Sequence, residues 1–244
     1  AASSTNDAKQ LELLDGLLAS SPETKCLAES LLWLHEHGFD SNQALEPTRS
    51  ALEQAAQFAI ETFGDDEENI CAEFGTYHGR SLRVLDQRLP HNWQLHGFDS
   101  FVGLPEQWRH EPAGSYSVTG DRGSATGCFP ARAELHAGWF NETAGPFAER
   151  VVDDGDALAL LHVDCDLYSS ARDCLQSLAP LLQRGSIILF DDFLAHETWR
   201  DDEKVLPRGL RRGAGGHRAL WRGSVEDRLM FEFQEFQKSQ VPGN

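Results

Sequence analysis

Between residues 7 and 63, apolar side chains return every three or four positions, in LELLDGLL, CLAESLLWLHEHG and TRSALEQAAQFAIETFG. That period puts an apolar stripe on one helix face, so the stretch predicts a series of helices. Gly38 and Gly64 stand where helices stop, and Pro47 with Thr48 where one starts. After the acidic run GDDEEN (64–69), which reads as a solvated turn, the pattern changes. NICAEFG, WQLHGFDS, AELHAGWF, ALALLHVDCD and SIILFDDF are short apolar runs and predict five strands. RSLRVLDQRL (80–89) and SSARDCLQSLAPLLQRG, the latter stopped by Gly185, predict helices between them. The Gly-, Pro- and Ser-rich stretch 103–130 predicts a loop. HRALWRG and RLMFEFQEF, joined by SVED, predict an antiparallel hairpin on one sheet edge. The fold class is therefore α/β: a mostly parallel sheet with helices on both faces, an edge hairpin and an N-terminal helical extension.

In an open sheet of this kind, ligands gather beyond the carboxyl ends of the strands. The residues able to do chemistry fall at those ends: Glu73 to Gly79, Asp99, Gly138 to Phe140, Asp164 with Asp166, and Asp191 with Asp192. In EFGTYHGRS, Gly75 and Gly79 bracket a tight strand-to-helix turn where backbone can approach a ligand. The spacing is not the G-x-G-x-x-G of a dinucleotide site, and a leading acid suits a ligand carrying an amino or sulfonium cation better than a pyrophosphate. Asp99 stands where an acid about 20 residues past the glycines takes ribose hydroxyls, the alternative being a helix cap. Four converging carboxylates (Asp164, Asp166, Asp191 and Asp192) would repel unless a cation neutralised them, and oxygen donors suit Mg²⁺ or Ca²⁺. Such a cation could acidify a substrate hydroxyl while a spare carboxylate took its proton.

Composition narrows the partners. The 244 residues carry a net charge of −18, which disfavours nucleic acid and anionic membrane. No run approaches the ~18 apolar residues of a membrane span. AASSTNDAKQ lacks the charged-then-apolar order of a signal peptide, so a cytoplasmic protein is expected. The five cysteines are scattered and form no CxxC pair, which fits reduced thiols rather than a disulfide or zinc framework. The histidines show no HExxH spacing. His162 shares a strand face with Asp164 and is expected to support it rather than to act as a ligand.

Together, EFGTYHGRS, GFDSFVGLPEQW, GWFNETAGPF and LLHVDCDLYSSARDCLQSLAPLLQRGSIILFDDF resemble the macrocin O-methyltransferase family over residues 70–193. These are class I S-adenosylmethionine-dependent enzymes that methylate hydroxyls of sugars or phenols in natural-product biosynthesis. The resemblance implies a Rossmann-like class I methyltransferase domain over 67–244; the N-terminal helices show no match to the family, and 1–66 is expected to be a helical lid or oligomerisation segment. It implies a cofactor site of Glu73, Gly75, Gly79, Ser81, Asp99 and Ser100, with Trp139 and Phe140 near the adenine. It implies Mg²⁺ on Asp164, Asp191 and Asp192, and Asp166 as general base, although either Asp164 or Asp166 could reach the metal. The implied partner is a small-molecule hydroxyl acceptor, with homo-oligomerisation open. After FDDF the chain departs from the family, reading LAHETWRDDEKVLPRGLRRGAGG, so the acceptor is the least constrained part. Three other readings are a catechol or nitrogen acceptor, a nicotinamide oxidoreductase on a similar sheet, and a non-catalytic adenosylmethionine binder. The glycine spacing and the lack of a Tyr-x-x-x-Lys argue against the oxidoreductase.

Overall fold

The computed structural model describes residues 51–118, 129–154, 156–191, 218–225 and 228–234, together with Lys25, Cys26, Glu29, Ser30 and Trp33, which are helical. Most of the expected N-terminal helices, Cys128, Asp192 and the atypical segment after it lie outside the described residues. The sheet has seven strands in the order β3-β2-β1-β4-β5-β7-β6. These are β1 (Asn69–Phe74), β2 (Gln94–Asp99), β3 (Ala133–Ala137), β4 (Ala157–Val163), β5 (Leu182–Phe190), β6 (Arg218–Val225) and β7 (Arg228–Gln234). β1 to β5 pair in parallel, while β7 runs antiparallel to both β5 and β6. This is the Rossmann-like class I methyltransferase sheet, with its hairpin at one edge as the pattern predicts.

Alternation sorts the two faces. Ile70, Ala72 and Phe74 of β1 face one way and pack with Phe98, Leu161, Val163 and Phe190. Helices α3 (Phe140–Asp154) and α4 (Tyr168–Leu178) cover that face through Ala144, Phe147, Val151, Leu175 and Leu178. Cys71, Leu95, Leu160, Ile187 and Leu189 face the other way. There α1 (Ala51–Phe63) lays Ala51, Ala55, Ala56 and Ala59 on the sheet, beside Leu82 and Leu85 of α2 (Arg80–Arg88). The last helix of the expected N-terminal segment is thus a layer of the sheet's core.

Two elements differ from the pattern. The expected helix through Gly185 ends at Leu178, because Pro180 cannot donate an N–H and sits in a 3₁₀ turn instead. β5 then starts at Leu182, and Gly185 lies inside it at φ 96°. A Cβ at Gly185 would fall 2.3 Å from Thr62 Cγ2 of α1, so this glycine seats the helix rather than stopping one. The run AELHAGWF splits: the strand stops at Ala137, Gly138 turns the chain, and α3 begins at Phe140. That helix was not evident from periodicity, since Gly145 and Pro146 interrupt it.

Arg132, just before β3, ties the far end of α2. Its Nε donates to Asp86 Oδ1 at 2.5 Å, and its Nη groups donate to the carbonyls of Asp86, Leu89, Pro90 and Trp93. One guanidinium so binds a carbonyl of the last helical turn (Asp86), that of the C-cap residue Leu89, and two of the loop beyond.

Candidate active site

The strand order reverses between β1 and β4, and the carboxyl ends of these strands touch there. A Cβ on Gly75, at φ 92°, would lie 1.6 Å from the carbonyl oxygen of Asp164, so only glycine lets the two ends meet. A cavity of about 660 Å³ opens at this point. Of the residues expected at the cofactor site, Gly75, Asp99, Ser100, Trp139 and Phe140 line it, as do Asp164 and Asp166.

Asp99 closes β2 and is held on both oxygens. Oδ2 accepts the Tyr77 N–H at 2.8 Å, and Oδ1 accepts the Phe101 N–H at 2.7 Å. Burial raises its pKa above the usual carboxylate range, and the two backbone hydrogen bonds counter part of that rise. Ser100 donates to the Gly103 carbonyl at 2.9 Å and so anchors the loop that follows. Phe140 meets Phe74 edge to face at 5.0 Å, which fixes the start of α3 against the sheet.

Glu73, Gly79, Ser81 and Asp191 do not line the cavity. Glu73 is 0% exposed, and its Oε2 lies 2.9 Å from His162 Nδ1 across the β1–β4 pair. Burial pushes the His162 ring down, but the Glu73 hydrogen bond and the charges of Glu73, Asp164 and Asp191 outweigh it and raise the pKa. Gly79 sits at φ 70° under Phe129, whose ring a Cβ would strike at 2.3 Å. It serves the turn and its packing. Ser81 lies in the first turn of α2.

The acids of β4 and β5 crowd one another. Asp164 is pushed well above the usual carboxylate range, chiefly by burial, with Asp191, Glu73 and Asp166 adding repulsion and His162 opposing. Asp166 stands at φ 61° at the apex of a three-residue turn in which the Leu167 N–H reaches the Cys165 carbonyl. Carboxylate oxygens suit Mg²⁺, and a divalent cation would offset this crowding. Among the described residues, however, these acids do not bring three ligand atoms within 4.8 Å of one another.

The sequence reading missed the aromatic rim. Tyr77, Trp108 and Tyr116 line the cavity with Leu104, Pro105 and Glu106, and Tyr77 meets Tyr116 edge to face at 5.9 Å. Tyr77, Phe101, Arg109, Tyr116 and Asp166 all hold positive φ without being glycine. Such strain gathers where a ligand is held. No local signal marks Trp108 and Tyr116, because the loop that carries them is shaped by distant backbone bonds such as Leu104 N–H to Ser115 O and Val118 N–H to Phe101 O.

Comparison with known proteins bears on this geometry. A family model described as a methyltransferase domain matches residues 72–193. The 8-demethyl-8-(2,3-dimethoxy-alpha-L-rhamnosyl)-tetracenomycin-C 4'-O-methyltransferase of Streptomyces olivaceus is 29% identical in an alignment of 168 positions that covers 59% of this chain. The chain spans 60% of that relative's length. Among solved structures, the calicheamicin methyltransferase CalS11 aligns with a TM-score of 0.56 at 20% identity, covering 93% of this chain and 92% of that one. The O-methyltransferase NovP aligns with a TM-score of 0.53 at 17% identity, covering 91% of this chain and 98% of that one. At these identities the two structures speak for the fold.

Proposed function

Because the chain belongs to the methyltransferase-domain family, whose model takes in residues 72–193 of its 244, we propose that it is an S-adenosylmethionine- and Mg²⁺-dependent O-methyltransferase. Its acceptor is a hydroxyl of a sugar or other small natural product. The observation that carries this reading is the cavity at the β1–β4 junction, where Gly75, Asp99, Trp139 and Asp166 share one space.

The residues fit the cofactor in kind. Asp99 offers carboxylate lone pairs at a strand end where ribose hydroxyls would donate, and Trp139 and Phe140 offer ring faces to an adenine. Bound there, S-adenosylmethionine supplies a methyl group on a sulfonium. Asp164 and Asp191, with Asp192, would hold a divalent cation, which supplies charge that acidifies an acceptor hydroxyl. Asp166, raised on its turn into the cavity, would take the acceptor's proton as general base. Tyr77, Trp108 and Tyr116 present flat apolar faces with polar tips, the surfaces on which sugar rings settle. The relative's name places its methyl on a rhamnosyl 4' oxygen, and that supports a sugar acceptor here. Binding both partners in one cavity supplies the orientation that most of the rate requires.

The test is calorimetric titration of S-adenosylhomocysteine, with and without Mg²⁺, followed by turnover of glycosides and phenols. Micromolar binding, turnover that stops in EDTA and returns with Mg²⁺, and an Asp191→Asn variant that loses turnover but keeps affinity would all follow. Absent binding would return Gly75 and Asp99 to structural roles. Full turnover in EDTA would remove the metal.

A further inference from the structure

We propose that His96, Glu134 and His136 form a second metal site, for a Zn²⁺-class transition ion, at the β2–β3 edge and apart from the carboxylates of the cavity. Among the described residues this is the one group of three or more His, Cys, Asp or Glu side chains whose ligand atoms all lie within 4.8 Å of one another.

The register creates it. His96 pairs with Glu134 and Phe98 with His136, so alternation brings the three side chains to the same sheet face under α3. His96 Nδ1 lies 3.1 Å from His136 Nε2 and 3.8 Å from Glu134 Oε2, and His136 Nε2 lies 3.6 Å from Glu134 Oε1. Ligands of a tetrahedral Zn²⁺ at ordinary bond lengths stand about 3.4 Å apart. The rings are held in place: His136 stacks on Phe98 at 4.2 Å, and Phe147 packs on both histidines.

The tautomer is set for coordination. Gln94 Nε2 donates to Asp156 Oδ2 at 2.9 Å, which turns the amide oxygen of Gln94 toward His96. His96 Nε2, 3.3 Å from that oxygen, therefore carries the proton, and Nδ1 presents its lone pair to His136. A ligating histidine oriented through its other ring nitrogen is the usual supporting arrangement of a metal centre. Burial also pushes the His96 pKa down to about 4 and lowers that of His136, so both rings are neutral near pH 7. Without an ion, the His136 Nε2–H points into the His96 lone pair. With one, His136 moves its proton to Nδ1 and both lone pairs face the metal. Arg150 donates to Glu134 Oε1 at 3.1 Å, which leaves Oε2, 3.8 Å from His96 Nδ1, as the oxygen free to ligate. Glu134 is 53% exposed on its side chain, so water can complete the shell. Two histidines, one carboxylate and an open position make a donor set for Zn²⁺ or Co²⁺ rather than Mg²⁺.

The experiment uses the full chain, stripped with chelator. Co²⁺ is titrated in and the visible ligand-field bands are read. Zn²⁺ affinity is measured against a chromophoric chelator, and melting is followed with Zn²⁺ and with EDTA. One equivalent should bind, give tetrahedral cobalt bands and raise the melting temperature reversibly. His136→Phe, which keeps a ring on Phe98, should weaken binding at least 100-fold, and the surface variant Glu134→Ala about 10-fold. If His136→Phe does not fold, Glu134→Ala alone decides. Absence of cobalt bands and of a zinc-dependent melting shift in the wild type would overturn the site. So would zinc binding that survives both variants or that is lost in Asp191→Asn.

Discussion

The proposed cofactor role of Asp99 can be tested by Asp99→Asn, which keeps shape and removes charge. Both carboxylate oxygens already hold the rim, through the Tyr77 and Phe101 amides. Ribose hydroxyls would donate to the lone pairs that remain. A hydrogen bond to a charged acceptor is worth ~1.5–3 kcal/mol, so affinity for S-adenosylhomocysteine should fall about 10- to 150-fold. Fold stability should hardly change. The asparagine NH₂ faces one backbone N–H, at a cost of ~1 kcal/mol, but the substitution also removes a half-buried charge that burial disfavours. Linkage gives the sign. The folded pKa of Asp99 is raised, so its own charge works against folding at neutral pH and this penalty vanishes in acid. Cofactor binding has the opposite dependence: it needs the carboxylate and is lost as pH falls through that raised pKa, above the ordinary value of about 3.9. Wild-type affinity, measured by calorimetry from neutral pH downward, should therefore show an acid limb that Asp99→Asn lacks. A variant that binds as tightly as wild type, with the same limb, would refute the assignment and leave Asp99 as a clasp for Tyr77 and Phe101.

Two further substitutions test the frame of the site. Gly75→Ala drives a Cβ into the Asp164 carbonyl, whereas Gly114→Ala, at φ 86° with nothing within 4 Å, meets only the backbone penalty. Urea unfolding should show a loss of more than ~3 kcal/mol for the first and ~1–2 kcal/mol for the second, and equal losses would contradict the clash. Arg132→Ala leaves the Asp86 carboxylate and four carbonyls without their shared donor and should cost about 2–4 kcal/mol, with Arg132→Lys recovering only part because an ammonium cannot span the fork. An Arg132→Ala chain within 0.5 kcal/mol of wild type would show that water replaces the clasp.

The sheet was legible because its strands are buried on both faces and therefore apolar almost throughout, as NICAEF and ALALLHV are. The ends were legible because acids that follow such strands stand out. Burial and pairing were not. Glu73 reads as one more strand-end acid, but its position one residue before Phe74 turns it toward α1 and α2 rather than into the cavity. Of the rim aromatics, Trp108 and Tyr116 lie in a stretch whose composition says only loop, and long-range backbone bonds shape that loop. The His96–Glu134–His136 group is invisible to spacing rules, since β2 and β3 come together only through their register. Helix α3 escaped because Gly145 and Pro146 break the local signal, while burial of Ala144, Phe147 and Val151 holds the helix regardless.

The strand that runs into Asp164 raises the question of how a fold tolerates carboxylates at a buried strand end. Part of the answer lies behind the cavity, where His162 is 3% exposed on its side chain and bonded to Glu73. A protonated imidazole there is attracted at once to Glu73, Asp164 and Asp191, and those attractions raise its pKa in spite of burial. The pair is not sufficient, because Asp164 remains pushed upward with His162 counted in. Nor is Glu73 wholly satisfied: its Oε1 is buried with no hydrogen-bond partner among the described residues. Among the described residues, Asp164 is thus crowded by three acids, Asp191, Glu73 and Asp166, a crowding that His162 opposes. A cation entering beside these acids, whether a divalent ion or the sulfonium of the proposed cofactor, would offset that crowding.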